Sequence, residues 1–125
     1  MAYGFTANLT PIGGSDYLLT VTESEAATGS EWTVVGVPIK GRILRQVCVL
    51  SSGTGTTVDP ILTRTSGGTG QNVILENDTA AATVDTVSDP GIPYYDTDGT
   101  LFGKSAVDAG TDNTIVSEYL IRGGW

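Results

Sequence analysis

Apolar and polar residues alternate along much of the chain with a period of two, the pattern of strands that bury one face. Residues 16–22 set Tyr17, Leu19 and Val21 on one side and Asp16, Thr20 and Thr22 on the other, with Leu18 the exception. Residues 31–38 put Trp32 and Val34 on one face and Val35 and Val37 on the opposite one. A strand apolar on both faces fits a sandwich or a contact between subunits. In the most apolar stretch, 42–51, Leu44, Gln46, Cys48 and Leu50 share one face, and Ile43, Arg45, Val47 and Val49 share the other. Residues 56–65 read as another strand. Pro60 cannot donate to a ladder, so this strand is expected at an edge or with a bulge. Further strands are expected at 72–76, 83–87, 100–102 and 113–122.

Gly-rich loops at 51–55 and 66–70 separate these runs. Only 77–82 has helical character. Residues 88–98, with Pro90, Pro93, Tyr94 and Tyr95, read as a long irregular connection, and Asp98-Gly99 as a hairpin turn. Eight to ten short strands with almost no helix predict an all-β, single-domain antiparallel β-sandwich, jelly-roll-like, over residues 1–125. Residues 1–10 are expected as an extended N-terminal arm.

Composition narrows the chemistry. The 125 residues contain no His and one Cys. That excludes a Ser-His-Asp triad, a Cys-His pair, imidazole metal ligands and an intrachain disulfide framework. No cofactor and no metal are expected. The formal net charge of −8 argues against sequence-independent binding to nucleic acid and against an anionic membrane surface. Met1–Phe5 shows no basic segment leading into an apolar one, so no secretion signal is expected. Charge is also uneven. Residues 1–39 carry four acids and no base. Residues 40–75 carry Lys40, Arg42, Arg45 and Arg64 against Asp59 alone, and residues 76–125 carry nine acids against Lys104 and Arg122. The central block reads as a basic face for an acidic partner, although alternation would also set such bases on the solvated side of ordinary strands.

Local motifs add little. Asp96-Thr97-Asp98-Gly99 resembles the start of a calcium loop, but Leu101 and Val107 stand where such a loop needs Gly and Glu, so a turn is the better reading. Asp108-Ala109-Gly110 resembles the active-site strand of a retroviral-type aspartic protease, but Ala109 replaces the bracing hydroxyl. Neither Gly-rich loop carries the residues of a phosphate cradle. The sequons at Asn8 and Asn77 are chance matches in a Thr-rich chain. Cys48 reads as a buried inert thiol and Trp32 as core.

The strand Arg42–Leu50, the run Gly55–Leu62, Val73–Thr83, Pro93-Tyr94-Tyr95, Gly99–Phe102 and Asp108–Trp125 together resemble a tailed-bacteriophage capsid decoration (cement) protein of the jelly-roll or β-sandwich type. That resemblance implies a virion structural protein without catalytic residues. It would sit on the outer capsid surface, after assembly in the host cytoplasm, as a homotrimer clamping major capsid protein subunits. The expected capsid contacts are Lys40, Arg42, Arg45, Arg64, Tyr3 and Phe5. The expected subunit contacts are Tyr94, Tyr95, Ile121 and Trp125. Two other classes remain: a carbohydrate- or receptor-binding module of a phage tail or fibre, using Tyr94, Tyr95 and Trp125, and an acid-pair hydrolase.

Overall fold

In the computed structural model the described residues are 3–26, 30–76, 81–87, 94–107 and 111–124. Ten strands are seen among them: β1 (Gly4–Gly13), β2 (Asp16–Ser24), β3 (Trp32–Val35), β4 (Lys40–Ser52), β5 (Val58–Thr63), β6 (Val73–Glu76), β7 (Thr83–Val87), β8 (Tyr94–Asp96), β9 (Thr100–Val107) and β10 (Thr114–Gly123). One 3-10 turn, Gly70–Asn72, precedes β6. The first sheet runs β1-β2-β10-β4-β7, with β8 also paired to β4; the second runs β3-β9-β5-β6. All pairings are antiparallel. The protein is a two-sheet, jelly-roll-like β-sandwich. No helix among the described residues is long and apolar enough to cross a membrane.

Alternation builds the core as the sequence predicts. Leu19 and Val21 of β2, Ile115, Tyr119 and Ile121 of β10, Leu62 of β5 and Leu101 of β9 are all fully buried. Each such side chain adds about 1.5–3 kcal/mol over an exposed one. Trp32 of β3 is also fully buried. Its ring lies 5.9 Å from that of Tyr119, tilted by 52°, and it covers Gly103 of β9. Gln46 donates from Nε2 to the Tyr119 hydroxyl at 3.0 Å.

Several expectations need correction. The N-terminal arm is β1 from Gly4 onward, laddered on β2 from Gly4↔Ser24 to Gly13↔Asp16. Within the irregular connection, Tyr94–Asp96 is a strand, held by pairing with Lys40–Arg42. Asp98-Gly99 makes a turn but no hairpin. It carries the chain from β8 in one sheet to β9 in the other, with Gly99 at φ +99°, a conformation that favours glycine. The Pro60 strand, β5, is interior, between β9 and β6. Pro60 is tolerated because its nitrogen points to the side where Val58 N–H meets the Ala81 carbonyl, and β6 pairing begins only at Ile61. Val35 and Val37 do not share the strand face opposite Trp32 and Val34. The strand ends at Val35, which is 71% exposed, and the chain turns at Gly36 to bury Val37.

The largest correction concerns β4. Leu120 pairs with Arg45 and Ile121 with Ile43, so Leu44 is an extra residue with no partner on β10. This bulge resets the alternation. Ile43 therefore faces the core together with Gln46 and Cys48. Arg42 and Arg45, which unbroken alternation would set on opposite faces, both turn outward. The expected helical character at 77–82 falls largely outside the described residues, as do Asp108, Pro93 and the Asn77 sequon.

Candidate functional site

Strand order and register place the basic residues in rows across the outer face of the first sheet. Asp16, Arg122, Arg42 and Tyr94 are successive cross-strand neighbours on β2, β10, β4 and β8. The next row holds Leu18, Leu120 and Arg45. Beyond it lie Thr20, Glu118 and Val47. Lys40, exposed, starts β4 opposite Asp96. Leu18, Arg45, Val47, Glu118 and Leu120 line a shallow groove of about 210 Å³ on this face, below the roughly 300–1,000 Å³ of ordinary small-molecule pockets. Leu18, the exception to the alternation of residues 16–22, is thus one wall of an outward apolar stripe.

Arg122 grips Asp16 through two bonds, Nε to Oδ1 at 2.8 Å and Nη2 to Oδ2 at 3.1 Å. This hydrogen bonding, with the charges of Arg122 and then Arg42, holds the Asp16 carboxyl below its usual range. Arg122 is therefore a functional candidate that sequence reading missed. Alternation along 113–122 sets it outward with Leu120 and Glu118, but that it joins Arg42 depends on β10 pairing with β4, which the sequence does not show.

Arg64 lies apart from these rows. Its Nε donates to Asn72 Oδ1 at 3.2 Å. With Gln71, Val73, Ile74, Tyr94, Tyr95 and Asp96 it lines a second groove, of about 250 Å³, between the β8 edge and β6. Tyr94 stands at the corner of both sites, 48% exposed.

The expected subunit contacts divide sharply. Tyr95 is buried, its hydroxyl donating to the Pro38 carbonyl at 2.8 Å. Ile121 is fully buried in the core. Neither side chain can reach another subunit, because alternation directs both between the sheets. Trp125 lies outside the described residues. Tyr3, expected to meet the capsid, works within the chain: its hydroxyl donates to Glu23 Oε2 at 2.7 Å. Phe5 keeps 39% exposure, with its ring 6.2 Å from that of Tyr3.

Glu23 belongs to a polar layer inside the sandwich. It is fully buried, and its Oε1 has no hydrogen-bond partner. The Ser105 and Ser117 hydroxyls lie 3.4 Å apart, and Ser117 Oγ is 3.5 Å from Cys48 Sγ. Burial pushes the Glu23 carboxyl up, and the Tyr3 and Ser105 hydroxyls offset this only in part. Burial likewise raises the Cys48 thiol, which stays protonated and unreactive. Asp98 serves its turn, Oδ1 accepting the Thr100 N–H at 3.2 Å. Among the described residues no three His, Cys, Asp or Glu side chains gather where they could hold a metal ion.

Comparison of the chain with protein-family models, curated proteins and solved structures finds no significant match.

Proposed function

We propose that this is a virion structural protein that decorates and stabilises a phage capsid, binding the major capsid protein through the outer face of its first sheet, without catalysis. One observation carries the reading. The β4 bulge aligns Arg42 and Arg45 with Arg122 on one face, beside the Leu18–Leu120–Val47 stripe, in a chain of net charge −8. A basic row flanking an apolar strip suits an acidic protein surface with apolar anchors. Binding the assembled lattice but not separated subunits would stabilise the shell by mass action, and many copies would act together.

The test is occupancy on undecorated shells, read by co-sedimentation. The double variant Arg42→Glu/Arg45→Glu should bind about tenfold or more weaker, since each lost charged hydrogen bond costs about 1.5–3 kcal/mol. Wild-type occupancy should also fall with salt. Unchanged occupancy in a folded double variant would overturn this assignment of the face.

The second groove favours one other reading, a carbohydrate-binding module. Tyr94 offers a ring to stack on a sugar, and Arg64, Gln71 and Asp96 offer planar hydrogen-bonding groups beside it. That reading predicts glycan-array hits that Tyr94→Ala abolishes with no change in melting temperature; an array without hits removes it.

A further inference from the structure

We infer that the β1 edge is a strand-pairing surface for a second copy of this chain. Sheet edges carry unpaired backbone N–H and C=O groups, and proteins blunt them with charge, proline, bulges or short length. The other edge strands here are short: β7 has five residues, β3 and β6 four each, and β8 three. β1 has ten. Among the described residues, no backbone–backbone hydrogen bond outside its ladder with β2 engages it. Pro11 and the bulge at Ile12 protect only its last residues; β3 of the other sheet packs beside β1, but among the described residues the backbone of Gly4–Thr10 has no second ladder partner.

The occupant follows from charge and symmetry. Gly4–Gly13 contains no Asp, Glu, Lys or Arg, although the chain carries fourteen acids. Two copies of an acidic protein repel one another least where acids are absent. An antiparallel edge can also pair with itself about a two-fold axis, so one strand supplies both sides. Residues directly opposite then share a face, and an axis at Ala7 sets Phe5 of one copy against Leu9 of the other. That register covers the half-exposed Phe5 ring and extends the inner face of the sheet across the pair. Tyr3 prepares the edge by tying the start of β1 to Glu23. This contact replaces the one expected at Tyr95 and Ile121, whose side chains are buried.

Sedimentation velocity over a concentration series, with amide hydrogen exchange, tests the inference without shells, so it stands or falls apart from the capsid reading. Wild type should dimerise, and Gly4–Thr10 amides that exchange freely at low concentration should become protected in the dimer. Asn8→Lys places a charge at the centre of the pair and should weaken dimerisation about tenfold. Thr83→Lys makes the same charge change at the exposed face of β7, on the opposite edge, and should leave dimerisation unaltered; melting curves confirm that both variants fold. A monomer at all concentrations, a dimer weakened equally by both variants, or a dimer with unprotected β1 amides would overturn the inference.

Discussion

Gly103→Ala is expected to destabilise the protein by about 3 kcal/mol or more, the upper range for overpacking a rigid core. For a domain of this size that lowers the melting temperature by roughly 10 °C. Gly103 lies in β9, flanked by Trp32 of β3 and Leu62 of β5. A Cβ at 103 would overlap the Trp32 ring and come within 2.6 Å of its Nε1. The ring has no room to retreat, since it is fully buried and packed on Tyr119. The check is thermal or urea unfolding of the single variant and of Gly103→Ala/Trp32→Phe. Phe is smaller and removes an indole N–H that has no acceptor, so the pair should recover part of the loss. If the second substitution adds to the first, the clash is not with Trp32.

The same contact shows what the sequence could reveal. Trp32 reads as core because it alternates with Val34, and it is core. Nothing local marks Gly103 as its seat, because the pairing of β3 with β9 joins residues about seventy apart. The outer face behaves likewise. Lys40, Arg42 and Arg45 stand out as a basic block, and alternation suggests which of them share a side. The bulge at Leu44 reverses that suggestion for Arg45, and a bulge has no signal in a run of apolar residues. Leu18 looks like an irregularity until Leu120 and Val47 are seen beside it. Tyr94 and Tyr95 look equivalent following a proline, yet a three-residue strand exposes one and buries the other. Local patterning thus sets which stretches become strands, and long-range pairing decides which charges become neighbours.

Glu23→Gln should stabilise the protein by about 1–3 kcal/mol at neutral pH, because the neutral amide escapes the penalty of burying an ionised carboxylate. The carboxylate is fully buried with Oε1 unpartnered, so ionisation is opposed. The groups facing it are Tyr3, Ser105 and Cys48. Tyr3 and Cys48 are themselves raised by burial, so neither supplies a charge to respond. The sign follows from linkage. Glu23 has a folded pKa above its unfolded value of 4.5. Its favourable contribution is complete below pH 4.5 and is lost as pH rises through the raised folded value. The glutamine cannot ionise and escapes that loss, while its amide can still accept from Tyr3. The stability difference between variant and wild type should therefore grow from pH 4 upward and level off above the folded pKa. Asp16, lowered by Arg122, acts at more acidic pH in both proteins and cancels in the difference. Tyr3→Phe removes the hydroxyl that donates to Oε2 and should lower stability most at the alkaline end, with faster amide exchange at the start of β1. Urea unfolding of the three proteins across pH decides the matter. A difference between wild type and Glu23→Gln that stays constant with pH would mean that Glu23 titrates alike in the folded and unfolded protein, and that its burial does not oppose ionisation. The polar layer would then hold β1 in place equally well at every pH.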